Sequence, residues 1–377
     1  MMHVMKTRHK IVFTIPSILS GGAEVSLYDI LKYMDTNIFD VTLIAILQGD
    51  SFEKKFDELP NIKIIKLGFK NRYNPLIMLK LRKFILDIKP DIVHTNLPVA
   101  NIYTRFAVLF LKTKLITTFH SPVFKKNIFY LVEKLTSRYN DWIIANSAWS
   151  KKKLIENSYI SENKIKIIQL GIDLSKFQKN DLSKSEFLYK YHVPENSKII
   201  TYVASFKPQK GHQYLLKAIK MLHETHPDFY FFLVGSGELF NEIKEKSIAF
   251  GLSQNIIFTG TIHNVSEILE FSDLFVSPSL AESFGIALVE AMYFKVPIVA
   301  FGCDAVPEIV MHDYTGLLVD IYDTEGLKNC ILKVLNQESI DVSTIVENAF
   351  RMATEKLSIE NTVKKLESFY IKLMTGH

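Results

Sequence analysis

The sequence predicts an α/β protein with two doubly wound parallel-sheet domains. In both halves, short and nearly continuous apolar segments, such as Phe39–Leu47 and Phe229–Val234, alternate with amphipathic segments of helical length. Apolar strands of this kind are typical of parallel sheets whose two faces are covered by helices. A polar, Lys-rich stretch from Leu174 to Pro194 has no strong period and separates the two alternations. We interpret it as a linker.

The first predicted domain spans residues 1–190. Apolar runs identify its strands, and apolar positions at helical spacing identify its helices. The predicted strands are Ile11–Ile15, Phe39–Leu47, Ile62–Leu67, Ile92–Thr95, Leu115–Thr118, Trp142–Asn146 and Ile165–Leu170. The predicted helices are Ala23–Met34, Leu76–Ile88, Val99–Leu111, the basic segment Phe124–Arg138, and Ser147–Asn157.

The second predicted domain spans residues 195–356 and repeats the alternation. Its predicted strands are Ile199–Ala204, Phe229–Val234, Ile256–Gly260, Leu274–Val276 and Val296–Ala300. Its predicted helices are His212–Thr225, Glu238–Phe250, Ile286–Tyr293, Thr324–Leu335 and Val342–Lys356, and a last, basic helix covers about Ser358–Leu373. Because ligands of such sheets bind at the carboxyl ends of the strands, the loops that follow the strands are the expected functional segments.

The composition is that of a soluble globular protein. Apolar residues make up 48% and charged residues 23% of the 377 residues. The chain has two cysteines, Cys303 and Cys330, which form no disulfide framework and predict a reducing compartment. No uncharged apolar stretch reaches the roughly 20 residues that span a bilayer. The short apolar run near the N-terminus predicts a first strand rather than a secretion signal, so we expect a cytoplasmic protein.

Charge is divided unevenly along the chain. Residues 1–194 hold 30 Lys and Arg against 17 Asp and Glu, whereas residues 195–355 hold 11 against 21. A basic first half predicts contact with an anionic surface or substrate. Its region 105–153 includes a helix rich in cations and aromatics, which can lie on an anionic bilayer. A core-facing helix with a solvated basic face is the alternative. The acidic second half and the lack of a recognisable module argue against nucleic acid as a partner.

The stretch from Ser277 to Pro307 carries the strongest functional pattern. It predicts a strand, a loop, a helix that begins after Gly285, and a second strand. The free N–H groups at such a helix start, from Ser283 and Phe284 through Gly285 to Ile286, can hold a phosphate. Glu282 and Glu290 lie eight positions apart, at most about 12 Å along a helix axis, so their carboxylates suit hydroxyls at both ends of an extended ligand. The alternative makes Glu282 a first-turn acid that complements the helix dipole and Glu290 part of a solvated face. Against it, Glu290 lies in the apolar run I-A-L-V-E-A-M, where a charge needs a partner.

This stretch resembles the nucleotide-sugar signature of the retaining GT-B glycosyltransferases of family 4. The family pattern P-S-x-x-E-[GS]-[FS]-G-x-x-x-x-E-A-M, followed by P-V-[IV]-A, matches almost continuously from Pro278 to Glu308. The resemblance implies two Rossmann-like domains facing a cleft. The second would bind a UDP- or GDP-sugar and the first the acceptor, with the C-terminal helix, residues 357–377, packing back on the first. It also implies that Glu282 orients the donor hexose and Glu290 the ribose.

Two further candidates lie in loops of the first domain. Gly21 and Gly22 follow the first strand, where glycines let a ligand approach backbone amides closely; a plain tight turn is the alternative. His120 follows the fifth strand and can donate a hydrogen bond to a sugar hydroxyl or to developing charge; a structural histidine is the alternative. The resemblance implies that the glycines lie near the donor phosphates and the acceptor, and that His120 lies near the anomeric carbon.

The loops of the second domain supply the remaining candidates. Lys210 stands beside a glycine at a helix start, where it can pair with a diphosphate. The family pattern here is G-R-x-x-x-x-K-G, but this chain has Ala204 and Ser205 in place of Gly and Arg. One of two cations is therefore missing, and we take Lys207 as the substitute. Gly235 lets a nucleotide pack against the backbone. His263 borders the base or ribose in the resembled family, although a surface histidine is the alternative.

Together with these residues, the resemblance implies a retaining hexosyltransferase that needs neither a metal nor a cofactor. As the resemblance implies, it would transfer a hexose from a UDP- or GDP-sugar to a hydroxyl of a glycan or lipid-linked acceptor, in cell-surface polysaccharide or glycolipid synthesis at the inner face of the cell membrane. His120, Glu282 and Lys210 are the predicted catalytic residues. No His/Cys cluster has metal-ligand spacing. Two alternatives stay open: a GT-B nucleotide-sugar epimerase or hydrolase, and a non-catalytic nucleotide-sugar-binding homologue, which Ser205 suggests.

Overall fold

The computed structural model describes residues 8–19, 21–49, 53–120, 128–157, 160–177, 182–262, 264–338 and 340–376. The chain forms two compact units, one comprising Met1–Gly171 with Ile359–His377 and the other Ile172–Ser358. Each unit is built on one parallel β-sheet, which confirms the predicted α/β class with two doubly wound sheets.

The sheet of the first unit has seven strands in the order β3-β2-β1-β4-β5-β6-β7. The strands are β1 (His9–Ile15), β2 (Phe39–Leu47), β3 (Ile62–Phe69), β4 (Ile92–Asn96), β5 (Lys114–Phe119), β6 (Trp142–Ala145) and β7 (Ile165–Ile167). The register places Ile11 of β1 beside Val41 of β2 and Ile92 of β4. These apolar side chains are buried because helices cover both faces of the sheet.

Helices of the first unit cover the sheet on both sides. They are α1 (Gly22–Tyr33), α2 (Glu53–Asp57), α3 (Leu76–Ile88), α4 (Pro98–Val108), α5 (Ile128–Thr136) and α6 (Ala148–Asn157). The C-terminal helix, α14 (Ile359–Thr375), also belongs to this unit and packs against α1. Its Tyr370 is fully buried, and the Tyr370 hydroxyl lies 2.5 Å from Nδ1 of His94 on β4. The last helix therefore completes the core over the central strands.

The sheet of the second unit has six strands in the order β10-β9-β8-β11-β12-β13. They are β8 (Lys198–Val203), β9 (Phe229–Val234), β10 (Ile256–Gly260), β11 (Leu274–Ser277), β12 (Ile298–Phe301) and β13 (Leu317–Val319). The helices are α7 (Lys184–Lys190), α8 (His212–His223), α9 (Phe240–Ala249), α10 (Ser266–Leu269), α11 (Ile286–Tyr293), α12 (Thr324–Leu335) and α13 (Val342–Arg351). The strand order reverses at β8, between β9 and β11, which makes the carboxyl ends of β8 and β11 the topological switch point of the sheet.

The predicted linker is wrong over much of its length. The second unit begins at Ile172, and helix α7 lies within the stretch from Leu174 to Pro194 that we interpret as a linker. A capping box between Ser183 and Glu186 starts this helix, and its adjacent Phe187 and Leu188 are buried. The polar composition hid the helix because only two of its seven residues anchor it in the core. Sequence analysis also missed β13 and the short helices α2 and α10.

Several other boundaries differ from the predictions; for example, β7 ends at Ile167 rather than Leu170, and α4 ends at Val108 rather than Leu111. Strand β12 begins at Ile298 rather than Val296, because Lys295 adopts a left-handed backbone conformation (φ 56°) in the turn after α11. The basic helix ends at Thr136 and is followed by a 3-10 turn, Ser137–Tyr139. Residues 124–127 of its predicted range lie outside the described residues. Within the described part of the chain, no helix combines the length and apolarity needed to cross a bilayer.

Candidate active site

The loops that follow β8 and β11 meet at the switch point of the second sheet. The Leu280 N–H donates a hydrogen bond to the Gln209 carbonyl (2.8 Å), and the Tyr202 hydroxyl donates to the Lys210 carbonyl (2.6 Å). Gly211 has a φ of 66°, and a Cβ there would lie 1.9 Å from the Pro278 carbonyl oxygen. Only glycine allows this close approach, so the sequence K-G fixes the position of Lys210 beside the second loop.

Lys210 and Glu282 form an ion pair across these two loops. The Lys210 Nζ donates a hydrogen bond to Glu282 Oε2, and about four-fifths of each side chain is buried (20% and 18% exposed). The Glu282 N–H donates to Asp304 Oδ2 (3.1 Å), and the Ala305 N–H donates to the Glu282 carbonyl (3.2 Å). Sequence analysis assigned Lys210 and Glu282 to separate parts of a ligand, and the structure brings them into direct contact. A diphosphate at this point would meet a cation that is already oriented.

Helix α11 begins immediately beside this pair. Gly285 caps it with a φ of 95°, and a Cβ there would lie 2.7 Å from a methyl group of Leu288. The first N–H groups of the helix have no acceptor within the helix, so they remain available to an anion. Phe284 is buried, Ser283 is half-buried and Ile286 is exposed. The geometry fits the predicted phosphate contact of the segment 283–286.

Glu290 lies on the same helix, between buried neighbours such as Val289 and Ala291. It is half-buried, and burial raises the pKa of its carboxyl to about 7, while the charge of Lys176 acts in the opposite direction. Lys176 belongs to a 3-10 turn, Leu174–Lys176, that follows the first unit in the chain. The ring of the neighbouring Phe177 packs against the ring of Tyr293 on α11, with the ring centroids 5.3 Å apart. A solvated helix face is therefore the wrong description of Glu290, and Lys176 is a neighbour that the sequence did not reveal.

The raised pKa of Glu290 predicts pH-dependent nucleotide binding. If the ionised carboxylate accepts the ribose hydroxyls, UDP affinity should fall as pH decreases through about 7. One unit below that pKa only about a tenth of the groups are ionised, so the Kd should rise about tenfold between pH 8 and pH 6. Calorimetric titration with UDP at pH 6, 7 and 8 measures this. Glu290→Gln is the control, because it keeps the size of the side chain, retains any titration of UDP itself and should remove the remaining slope. An unchanged slope in this variant would show that another group titrates.

Gly235 and Ser205 lie at the ends of adjacent strands. Gly235 has a φ of 133°, and a Cβ there would lie 2.1 Å from the Ala204 carbonyl oxygen, so the backbone approach requires glycine. Ser205 is half-buried, whereas Lys207 is exposed. Among the described residues, no ion pair involves Lys207. The structure holds Lys210 in place but does not fix the Lys207 ammonium group.

Sequence analysis missed two buried residues, His212 and Cys303, that lie behind the site. His212 at the start of α8 is buried and stacks on Phe206, with ring centroids 4.0 Å apart. Burial and the charge of Lys210 lower the pKa of His212 to about 4. The thiol of Cys303 is buried beside Asp304, and burial raises its pKa to about 12. A neutral imidazole and a protonated thiol therefore flank Lys210 at neutral pH, and neither competes with it for an anion. The aromatic and Lys-Gly neighbours of His212 were visible in the sequence, but its stacking was not.

In the first unit, His120 lies where three strands end. Its Nε2 is 3.2 Å from Asn96 Oδ1 after β4, and the Asn146 side-chain amide donates to the His120 carbonyl at 3.5 Å. Burial lowers the pKa of His120 to about 4, so the ring is neutral near pH 7. The ring is half-buried at the end of β5. A neutral imidazole in this position can donate or accept one hydrogen bond at its free edge.

The glycine loop of the first unit is tightly packed on one side. Gly21 is the N-cap of α1, and a Cβ there would lie 2.4 Å from Glu24 Oε2, whereas a Cβ on Gly22 would meet open space. Burial raises the pKa of Glu24.

His263, the remaining predicted site residue, lies outside the described residues. Within those residues, no group of three His, Cys, Asp or Glu side chains is arranged to hold a metal ion.

The fold and the site can now be compared with known proteins. Residues 20–176 match the family model described as Glycosyltransferase Family 4, and residues 183–352 match Glycosyl transferases group 1. A curated Escherichia coli relative, UDP-Gal:alpha-D-GlcNAc-diphosphoundecaprenol alpha-1,3-galactosyltransferase, is 26% identical, with 95% of each chain covered. The capsular polysaccharide biosynthesis glycosyltransferase CapM of Staphylococcus aureus is 30% identical over 66% of each chain.

Solved structures show the same architecture. A glycosyltransferase from Rickettsia africae has a TM-score of 0.84 at 25% identity, covering 98% of this chain and 99% of its own. Anabaena HepE in complex with UDP also has a TM-score of 0.84, at 22% identity, covering 96% and 100%. The fold and the site define a glycosyltransferase of the GT-B class. The chain belongs to glycosyltransferase family 4, as the sequence signature from Pro278 to Glu308 predicted.

Proposed function

We propose that this enzyme transfers a hexose from a UDP-sugar to a hydroxyl of a glycan or lipid-linked acceptor. The observation that carries the proposal is the Lys210–Glu282 pair beside the amino end of α11, at the switch point of the second sheet. UDP is preferred to GDP because the E. coli relative is named for UDP-Gal and HepE was crystallised with UDP. The same relative is named for a diphosphoundecaprenol-linked acceptor, which favours synthesis of a cell-surface polysaccharide or glycolipid.

The proposed chemistry uses charge and position. Lys210 and the amides at Phe284–Ile286 hold the diphosphate, Glu282 orients the hexose and the Lys210 ammonium, and Glu290 accepts the ribose hydroxyls. His120 is proposed to contact the transferred sugar. The acceptor oxygen attacks the anomeric carbon on the face from which UDP departs, and the anomeric C–O bond breaks with its electron pair passing to the phosphate. The departing phosphate oxygen takes the acceptor proton, so configuration is retained.

This chemistry places positive charge beside the leaving group without a divalent ion. Lys210 and the helix amides together stabilise the charge that develops on the diphosphate. We therefore propose metal-independent turnover in the cytoplasm, at the inner face of the membrane when the acceptor is lipid-linked. The basic region 105–153 is the proposed side of membrane contact.

A donor screen tests the proposal. Purified protein is incubated with UDP- and GDP-sugars, with and without EDTA, and release of the nucleoside diphosphate is followed. We expect slow UDP release from one donor, unchanged by EDTA and weakened in Glu290→Ala. If UDP or GDP is released without any acceptor and the sugar product is epimerised, the epimerase alternative is favoured. No release and no thermal shift with UDP or GDP would favour the non-catalytic alternative.

The missing arginine gives a second test of the donor site. Ser205→Arg should restore a cation at the position where the family pattern has one and strengthen UDP binding. A charge-assisted hydrogen bond contributes about 1.5–3 kcal/mol, so the Kd should fall at least about tenfold. Isothermal calorimetry measures the change, and Ser205→Ala, which adds no charge, should leave the Kd within about threefold. A higher Kd for UDP in Ser205→Arg would indicate that Lys207 or the loop already fills the position of the family arginine.

A further inference from the structure

A groove lies at one edge of the first sheet, between β7 and α14. It has a volume of about 520 Å³. The residues of α14 that line it recur three or four positions apart, so they share one stripe of the helix. Its apolar lining includes Ile167 and Phe369. Its cationic lining residues are Lys166 of β7 and Lys364, Lys365 and Lys372 of α14.

The positive charge of this groove is not compensated by acidic neighbours. All four lysines are exposed, and none forms an ion pair with another of the described residues. The two acidic residues of α14, Glu360 and Glu367, do not line the groove. Glu367 Oε1 instead accepts a hydrogen bond from the Asp35 N–H (2.7 Å). A solvated basic face is the ordinary interpretation of such a helix, but here a strand contributes a fourth cation to the same concave surface.

Strand β7 is the edge of the sheet at this groove. The described residues place β6 on one side of it and no strand on the other. The Ile168 N–H donates to the Ala145 carbonyl of β6 (3.0 Å). Because backbone groups alternate in direction along a strand, the N–H and C=O of Ile167 point away from β6. The Gln169 carbonyl accepts from Thr362 Oγ1 (2.9 Å), which closes the edge beyond Ile168.

An extended peptide paired with this edge would direct every second side chain toward α14. Strand β7 itself shows the alternation: Ile168 packs in the core that includes Leu366 of α14, whereas Ile165 packs with Leu154 of α6 on the opposite face of the sheet. Side chains of an added strand that share the α14 face would therefore meet the lysines of α14. Carboxylates at alternate positions would suit this arrangement.

We propose that the groove binds an extended acidic segment of a partner protein, which adds as a strand to the edge of β7 and places carboxylates against the lysines of α14. A second copy of this edge fits less well, because pairing β7 with β7 would bring like charges together. A lysine on an edge strand normally discourages pairing, and Lys166 is enough for that role. The three lysines of α14 make the edge selective for an acidic strand.

Two labelled peptides of equal charge test strand addition on the full chain. One consists of four Glu-Thr repeats and the other of four Glu-Pro repeats, whose prolines lack the N–H groups that a strand needs. Fluorescence anisotropy gives the Kd of each. Main-chain hydrogen bonds contribute about 0.5–1.5 kcal/mol each, so we expect the Glu-Thr peptide to bind at least about tenfold more tightly. Hydrogen exchange of the Ile167 amide should slow with the Glu-Thr peptide and stay unchanged with the Glu-Pro peptide.

Two triple variants with the same change in charge test the lysines. Lys364→Gln, Lys365→Gln and Lys372→Gln together should raise the Kd for the Glu-Thr peptide at least about tenfold. The control combines Lys63→Gln, on the opposite edge strand β3, with Lys70→Gln and Lys83→Gln, which are all exposed. It should change the Kd by less than about threefold, because these cations lie outside the groove. A thermal melt establishes that both variants are folded.

Three results would overturn the proposal: no binding of the Glu-Thr peptide, equal losses in the two triple variants, or equal affinity for the two peptides. The last would make the groove a general anion site rather than an edge that pairs with a strand. The donor assay keeps this inference separate from the proposed function. UDP release should be the same for wild type and both triple variants, because none of the changed lysines belongs to the donor site. Peptide binding without UDP release would retain the groove and refute the proposed activity.

Discussion

Lys210→Ala is expected to lower kcat/KM for the sugar donor by about 10²–10³-fold, the cost of removing one preorganised group that stabilises a developing anion. Lys210 is held by Gly211 and the Tyr202 hydroxyl at its backbone and by Glu282 at its ammonium group. Its loss removes the positive charge that lies beside the leaving diphosphate and leaves the Glu282 carboxylate without its ion-pair partner. UDP release measured at saturating and limiting donor concentrations gives kcat and KM separately. We expect kcat to fall and KM to rise.

Lys207→Ala is the matched control for that measurement. Lys207 lies three residues earlier but is exposed, so its removal should change kcat/KM by less than about threefold, as expected for a solvated cation. Circular dichroism and a thermal melt establish that both variants are folded. A larger effect for Lys207→Ala than for Lys210→Ala would assign the diphosphate to Lys207, and the ion pair with Glu282 would then be structural.

The buried ion pair of the first unit should have the largest effect on stability. Arg105 on α4 and Glu133 on α5 are paired at 2.6 Å, with side chains 1% and 0% exposed. Asn140 Oδ1 accepts from Arg105 Nε at 3.0 Å, and Thr136 Oγ1 lies 3.0 Å from Nη1. Arg105→Met leaves the Glu133 carboxylate buried without its cation, which should cost about 3–5 kcal/mol. The double variant Arg105→Met with Glu133→Leu should recover most of this loss, because it removes both buried charges.

Tryptophan fluorescence makes this measurement specific. Both tryptophans of the chain, Trp142 and Trp149, belong to the first unit, so urea unfolding followed by their emission reports on that unit alone. Lys151→Met serves as the control, since Lys151 pairs with the exposed Glu162 at 2.9 Å and should cost less than about 1 kcal/mol. Losses of similar size in Arg105→Met and Lys151→Met would show that water compensates the buried pair.

The sequence predicted most of the fold because the signals are local. Strand β9 and the helices α3, α11 and α12 have the predicted ends, since an apolar run or a helical period marks each of them. Helix α7 was not predicted because its two buried residues are adjacent and give no helical period of apolar positions. Its capping box, S-x-x-E from Ser183 to Glu186, was the one signal that could have revealed it.

The candidate site was predicted by residue type but not by contact. Glu282, Glu290 and Lys210 were identified from the signature, yet the pairing of Lys210 with Glu282 spans 72 positions. Lys176 acts on Glu290 from a segment more than a hundred residues away, and no local pattern links them. The same limit applies to Arg105 and Glu133, which composition alone would count as surface charges. Pairings of this kind depend on the sheet order, which brings distant loops to one edge.

The position of α14 affects how the protein can be synthesised. The first unit is discontinuous in sequence, because residues 172–358 of the second unit separate its sheet from α14. Tyr370 and its neighbour Phe369 cover Phe13 and Trp142 of that sheet. A ribosome therefore completes the whole second unit before the first can bury its apolar surface. The nascent first unit would need protection from aggregation through most of translation, and a premature stop before α14 would leave the second unit intact beside an exposed first sheet.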